Sequence, residues 1–493
     1  MAAVSPFLFS WNDVEARSDL ERFYLVRDNL PDENIVVTLE KRRGNGRDDF
    51  PIRAMWNALI AGIVFQHASI ESLIRELSRN PSLLEACGFN ILPRQKKPVA
   101  VLKRNEETGQ MEVIRSGGGD AYFLVPGSWI FSRFLKNVIE LEEYSRMVSG
   151  MVRNLRESLM KELPDFGCHL GYDGKAINSY STGQESRKTG ETSDTDADWG
   201  KHETKGISSE TGKQWTKVKS WFGYGLHLIA DTQYEIPVAV HVTPASHSEH
   251  TELRSMIKEI FEETPQLGER CDDFVADRGL DSGETKAQLL DEYEIRPGID
   301  TRELWRDEKN ELGYDPAKPI TRPLYPDRAD SIVYTEKGTV HCICPVTGEQ
   351  RDMAFYGFEK DRNTLKYRCP AAAYGFSCEG CADCSSSGQA NPGEYGRVVR
   401  INITEVDRRI FTPIPYGTQG WDRAYKRRSS LERINSRLDN DFGFEKHYIR
   451  GQAKMQTRVG LATAVMMAMA LGHVRAGRIE QMRSLVRPIA RAA

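Results

Sequence analysis

A chain of 493 residues, 39% hydrophobic and 28% charged, is long enough for a large core and two or more domains, and its balance is that of an ordinary globular protein. The net charge of −4 conceals an asymmetry: from Trp421 onward 15 Lys and Arg face 6 Asp and Glu, a balance of +9 that leaves −13 for the first 420 residues. A basic end on an acidic body points to a polyanion partner on one face. The opening MAAVSPFLFSWNDVEARSD has no basic stretch before an apolar core, so no signal peptide is expected. The longest apolar run, Val459 to Gly472, is 14 residues, short of the roughly 20 needed to cross a bilayer, so no membrane partner is expected.

In chain order, residues 1–50 read as an irregular lead-in. From Pro51 to Leu77 the stripe Ile52, Met55, Trp56, Leu59, Ile60 and Ile63 predicts a helix, with a second start at Ser69 and a break at Asn80-Pro81. Lys96 to Asp120 is polar, with glycines at 117–119, and reads as an inserted loop or hairpin. Ser128 is a candidate N-cap for a further helix. Short helices with polar turns fit a helix-turn-helix DNA reader and a plain helical bundle equally well.

From Cys168 the period changes to that of strands. The segment His169 to Ile177 carries Asp173, and a polar loop follows from Ser179 to Thr216. Phe222 to Ala230 and Ile236 to Val242 alternate as two further strands. Glu249 to Glu262 reads as a helix, Asp273 to Ala276 as a strand ending at Asp277, Gly283 to Tyr293 as a helix, and Glu294 to Ile299 as a fifth strand. That order predicts a mixed-sheet α/β domain. Asp281 is a candidate substitute for Asp277, but its place after Gly279 suits a helix cap or turn. His241, His247 and His250 are irregularly spaced for a metal site. Trp199, Trp215 and Trp221, set among lysines, suit either packing or stacking on an unpaired base.

Residues 301–413 break the alternation and hold six of the nine cysteines. The spacing C-x8-C-x2-C-x2-C at Cys369, Cys378, Cys381 and Cys384 offers four soft ligands to one tetrahedral Zn²⁺, while a reduced thiol cluster in a loop is the plainer alternative.

The stretch WDRAYKRRSSLERINSRLDNDFG, from Trp421 to Gly443, puts Tyr425, Arg428 and Glu432 on one face if it is a single helix. Arg423, Lys426, Arg427, Arg433 and Arg437 surround that face. Such a face can grip phosphate and bind a hard cation; in the plainer reading Glu432 only pairs with Arg428. Asp173, Asp277 and Glu432, converging from two strands and a helix, would suit two-metal phosphoryl transfer.

From Pro51 to Arg475 the sequence resembles the bacterial insertion-sequence transposases of the DDE class. The likeness is carried by Pro51-Ile-Arg-Ala-Met, Asn80-Pro81, Phe131-Ser-Arg-Phe, Asp173-Gly-Lys, Asp196-Ala-Asp-Trp-Gly200, Phe222-Gly-Tyr-Gly-Leu-His227, Ala276-Asp277-Arg-Gly-Leu-Asp281 and Tyr425-x-x-Arg428-x-x-x-Glu432. The resemblance implies an α/β ribonuclease-H-like catalytic domain in two parts, 165–300 and 414–475. Around it stand an N-terminal helical domain over 1–150, a Cys-rich insertion over 301–413 and a basic tail over 476–493. It also implies Asp173, Asp277 and Glu432 as catalytic ligands of two Mg²⁺ or Mn²⁺ ions, with Tyr425, Lys426, Arg427, Arg428 and Arg437 on DNA. The partners implied are double-stranded transposon ends and target DNA, bound by a homodimer in a cytoplasmic, nucleoid-associated location. One departure stands out: the family's lysine, seven residues after the glutamate, is here Asp439, which moves that DNA contact to Lys446 or Arg437. A catalytically silent DNA-binding derivative and a stand-alone metal-dependent nuclease are the competing readings.

Overall fold

The computed structural model describes residues 18–44, 49–92, 94–95, 99–104, 111–116, 121–122, 124–185, 190–207, 214–306, 308–309, 319–326, 331–380 and 396–484. The described residues open with five helices: α1 Ser18–Asn29, α2 Glu33–Arg43, α3 Ile52–Val64, α4 Ile70–Arg79 and α5 Pro81–Cys87. Two of them fall in the expected irregular lead-in. Their buried apolar residues are few, Phe23 and Val26 in α1 and Ile35, Val36 and Leu39 in α2, so their stripes are faint in sequence. Ser69 forms a capping box with Ser72, and the Asn80 side chain caps α5 with Pro81 in its first turn. The Trp56 indole N–H donates to the buried Asp32 carboxylate at 2.5 Å, tying α3 to the chain before α2.

The polar stretch after α5 forms short strands, β1 Arg94–Gln95, β2 Val99–Arg104, β3 Met111–Ser116 and β4 Ala121–Tyr122, with β2 and β3 paired as a hairpin. Helices α6 Ser128–Ser145 and α7 Met147–Glu162 follow. Gly127, not Ser128, stands at the N-cap of α6, and the Ser128 hydroxyl instead donates to Glu71.

The main sheet is built from β5 His169–Asn178, β6 Asp198–Ile207, β7 Gln214–Asp231, β8 Ile236–Pro244, β9 Asp273–Ala276 and β10 Arg296–Ile299. Across it the order is β8, β7, β5, β9, β10. The β5–β7 and β7–β8 pairs are antiparallel, and β9 and β10 run parallel to β5. β7 is longer than the sheet is deep: residues 214–222 pair only with β6, and from Gly223 onward the strand joins β5 and then β8. At that junction the backbone is so close that a Cβ on Gly223 would lie 2.2 Å from the Ile177 carbonyl oxygen, so only glycine fits. The expected polar loop from Ser179 to Thr216 thus contains β6.

Helices α8 Glu249–Glu263, α9 Pro265–Arg270 and α10 Gly283–Ala287 alternate with the parallel strands, and α10 runs on as a π-helical turn over Gln288–Glu292. Between β10 and the next long helix lie two small sheets, formed by β11 Thr321–Pro323, β12 Ile332–Thr335, β13 Val340–Ile343 and β14 Gln350–Asp352, and by β15 Ala354–Glu359, β16 Thr364–Arg368 and β17 Val398–Asn402, with the short helix α11 Pro370–Tyr374. They share an apolar cluster of their own around Ile332, Val340, Leu365, Tyr367, Ile401 and Phe411.

Three helices close the chain: α12 Gln419–Lys426, α13 Ser429–Asn440 and α14 Gln452–Arg475. By length and composition α14, with 24 residues, could cross a membrane, but 89% of its apolar window is buried inside the protein. It packs against α1, α3, α6 and α7 on one side and β8 on another. One contiguous apolar core therefore runs from the N-terminal helices through α14 into the sheet.

Candidate active site

The stretch expected as a single helix from Trp421 is two helices joined by a tight turn. Arg427, Arg428, Ser430 and Leu431 N–H groups donate three residues back, to Ala424, Tyr425, Arg427 and Arg428, a 3₁₀ pattern that shifts the face. The turn is pinned by Arg427, whose Nη2 donates to both oxygens of the buried Asp273 at 2.8 and 2.7 Å. Asp273 opens β9 and also bonds His169 at the start of β5. On α13, Leu431 and Ile434 pack on Leu228 and Ala230 of β7. This packing hangs the helix over the strand ends.

Arg428 then stands among the acids. Its Nη2 donates to Glu432 Oε1 at 2.9 Å, and its Nη1 lies 3.9 Å from Asp277 Oδ1. Asp173, on β5, accepts from Asn435 Nδ2 at 2.7 Å. Burial pushes the Asp173 carboxyl up to about 6, opposed by Arg428 and reinforced by the neighbouring charge of Asp277. So the structure groups Asp173, Asp277 and Glu432 around one guanidinium. Among the described residues no three His, Cys, Asp or Glu side chains close around a single point; the cation between these acids is the arginine. Tyr425 stacks on Trp421 with ring centres 4.6 Å apart, and Arg428 lies 5.7 Å from the Tyr425 ring. Lys426 is exposed.

Other basic residues of this stretch are paired within the protein. Arg437 donates to the Glu235 carbonyl, and Glu235 also pairs with Arg433 at 2.8 Å and Arg483 at 3.0 Å. Asp439 pairs with Lys175, two residues beyond Asp173 on the same strand face, and Lys175 also donates to the Asn435 carbonyl at 3.4 Å. The positive charge at this corner is thus carried by the strand and the negative by the helix.

Asp281 is consumed in a buried ion pair with Lys286 at 2.7 Å. His241 and His247 both bond Glu252, and His250 bonds Arg302. Two residues that sequence reasoning passed over adjoin the acids. Asn435 holds Asp173 while its own Oδ1 is buried with no hydrogen-bond partner among the described residues. Glu249 lies over Gly174, its Oε1 2.7 Å from where a Cβ would sit; burial and then Asp277 raise its carboxyl, against the opposing charge of His202. Neither carried a signal in spacing, because each matters only through the packing of a helix on β5.

In the cysteine segment, Cys381 and Cys384 lie outside the described residues. Cys378 adjoins Cys344, not Cys369. The Cys344 Sγ accepts the Thr347 N–H at 3.5 Å, and donors from Thr347, Val346 and Gly380 pull its thiol down to about 7. Cys369 sits instead at the N-terminus of α11, against Gly396.

A family model described as "Transposase DDE domain" matches residues 189–468, more than half of the chain. The chain belongs to the DDE transposase family. The matched span covers Asp277, Arg428 and Glu432, and begins after Asp173. Among solved structures, a cryo-EM structure of the piggyBac transposase synaptic complex with hairpin DNA is similar over 95% of this transposase and 79% of that chain, at 11% identity and a TM-score of 0.31. No curated protein matches the transposase.

Proposed function

We propose that this transposase binds the two ends of an insertion-sequence element as a homodimer and carries out divalent-metal-dependent strand cleavage and strand transfer, with Asp173, Asp277 and Glu432 as its catalytic carboxylates. The observation that carries the proposal is the grouping of these acids around Arg428 where β5, β9 and α13 meet. The order β8, β7, β5, β9, β10, with β7 antiparallel to β5 and the last two strands parallel to it, supports a ribonuclease-H-like reading of the sheet.

The donor set fits hard cations. Carboxylate oxygens are the ligands that Mg²⁺ and Mn²⁺ prefer. Burial holds the Asp173 carboxyl up to about 6 although Arg428 opposes it, so a bound cation would relieve a buried carboxylate, and the orphaned Asn435 oxygen adds a further acceptor. Bound there, two such ions would activate the attacking hydroxyl and offset charge on the leaving 3′ oxygen. The chain's own residues do the positioning. Asn435 fixes the Asp173 carboxylate through its N–H, and Tyr425 and Arg428 hold the phosphate beside the scissile bond once DNA enters. Lys175 stands at the same corner, in place of the helical lysine that Asp439 replaces. A structural zinc in the cysteine segment belongs to the same proposal, with Cys344 taking the place of Cys369 beside Cys378, Cys381 and Cys384.

The test is cleavage of duplex DNA carrying the element's own ends, with and without Mg²⁺. Asp173→Asn, Asp277→Asn and Glu432→Gln should each abolish cleavage and leave DNA binding in place. Joining of the cut 3′ end to target DNA separates a transposase from a nuclease that only cuts. Mg²⁺-dependent activity surviving in all three variants would overturn the assignment.

A further inference from the structure

Outside the acid site, the ribbon made by β6 and the first half of β7 has a built face. In an antiparallel ladder directly paired residues project to the same side, and alternate pairs share it. The pairs Gly200 with Trp221, His202 with Lys219, Thr204 with Lys217 and Gly206 with Trp215 therefore form one face. Along β7 that face reads tryptophan, lysine, lysine, tryptophan, and no Asp or Glu stands on it between these pairs; Glu203, paired with Val218, is on the other side. His202, Lys217 and Lys219 are exposed, and Trp215 is 44% exposed. The Trp221 ring lies flat against Gly200, within 2.3 Å of where a Cβ would be. Neither β5 nor β8 pairs with residues 214–222, so among the described residues β6 alone ladders with this part of β7.

The ribbon also points somewhere. Glu249, which lies over Gly174, is within electrostatic reach of His202 and Asp277, and its own charge acts on Asp173. The cationic, aromatic face therefore belongs to the same strand, β7, that pairs with Asp173 at Leu228, and runs from Trp221 away from that row.

We infer that this ribbon is a duplex DNA-binding arm, with Lys217 and Lys219 on phosphates and Trp215 packed on the sugar or base edge, carrying the DNA away from the acid site. The inference rests on the DNA-cleaving reading above. Duplex DNA is favoured because a two-stranded ribbon fits the roughly 12 Å wide major groove. Lys217 and Lys219 stand about 7 Å apart on one strand, and phosphate contacts of this kind supply affinity without reading sequence. A second copy of the same face is disfavoured, since its lysines would meet like charge.

The test is binding of a fluorescently labelled random-sequence duplex, and of a labelled random single strand, measured without Mg²⁺ across a salt series. The Lys217→Gln, Lys219→Gln double variant should weaken duplex binding and flatten the slope of log K against log salt by about 2, near 0.9 per lost phosphate contact. Trp215→Ala should weaken it several-fold at every salt concentration, and Lys201→Gln, on the opposite face, should change it little. Duplex affinity and slope unchanged in the double variant, with the parent binding normally, would overturn the arm and leave the acid site standing. A loss confined to the single strand would overturn the choice of duplex. A parent protein that binds no DNA at any salt would overturn the cleavage reading and the arm with it.

Discussion

Asp173 carries a conflict between stability and chemistry. Its carboxyl is raised to about 6 from an ordinary 3.8, first by burial. For an acid whose folded pKa lies above its unfolded one, the protonated form favours the fold. The stabilising contribution is present below about pH 4 and is lost as pH rises through 6. Asp173→Asn should therefore raise stability above pH 7 by roughly 3 kcal/mol, shown by chemical denaturation at pH 4 and pH 8. The gain should shrink towards pH 4, and cleavage should be lost at every pH. Equal effects at both pH values would mean that the asparagine acts through packing. Saturating Mg²⁺ should bring the parent up towards the variant by occupying the same charge.

At the level of elements, the junction of α12 and α13 depends on Arg427. It bridges a helix turn to Asp273, which is buried at the head of β9. Arg427→Ala leaves that carboxylate without its guanidinium and should cost about 3 kcal/mol; cleavage should fall further than the loss of folded protein accounts for, because Arg428 and Glu432 hang on the same turn. The corner of β5 and α13 gives a second prediction. Asp439→Lys alone sets two ammonium groups against each other at Lys175, so it should lower the melting temperature and weaken DNA binding. Lys175→Glu combined with Asp439→Lys should recover the stability, a coupling that a double-mutant cycle measures. In the cysteine segment the pairing of Cys344 with Cys378 predicts about one zinc per chain by elemental analysis. Cys344→Ser should release it and Cys369→Ser should keep it; the reverse pattern would return the site to the thiols picked by spacing.

Across the whole molecule, what could be read beforehand follows from what kind of signal each part carries. Strands β5, β8 and β9 were legible because they alternate or run apolar and end near an acid. β6 was not, since residues 198–203, apart from Gly200, are exposed on both faces of a ribbon and so lack a buried alternate. The acids could be named from sequence, but the arginine between them, the Asn435 hydrogen bond and the reversed charges at Lys175 and Asp439 depend on helix placement. The basic end of the chain misleads in the same way. Arg433, Arg437 and Arg483 gather on Glu235, Arg475 pairs with Glu162, and Arg478 approaches Glu21. Much of the +9 is paired with the protein's own acids, and a free cation cannot be told from a paired one by composition.

Because one unbroken strand serves both the sheet and the arm, β7 behaves as a beam supported at one end. Its anchored half is gripped on both sides by β5 and β8, its free half by β6 alone, and the support begins at Gly223, where the Ile177 carbonyl leaves no room for a side chain. The angle at which the arm leaves the body is therefore set locally, at a joint that holds none of Asp173, Asp277 and Glu432. Substitutions along residues 214–222 can re-aim or re-surface the arm while the acids keep their places. A lineage could thus change how it grips DNA without risking the chemistry that cuts it.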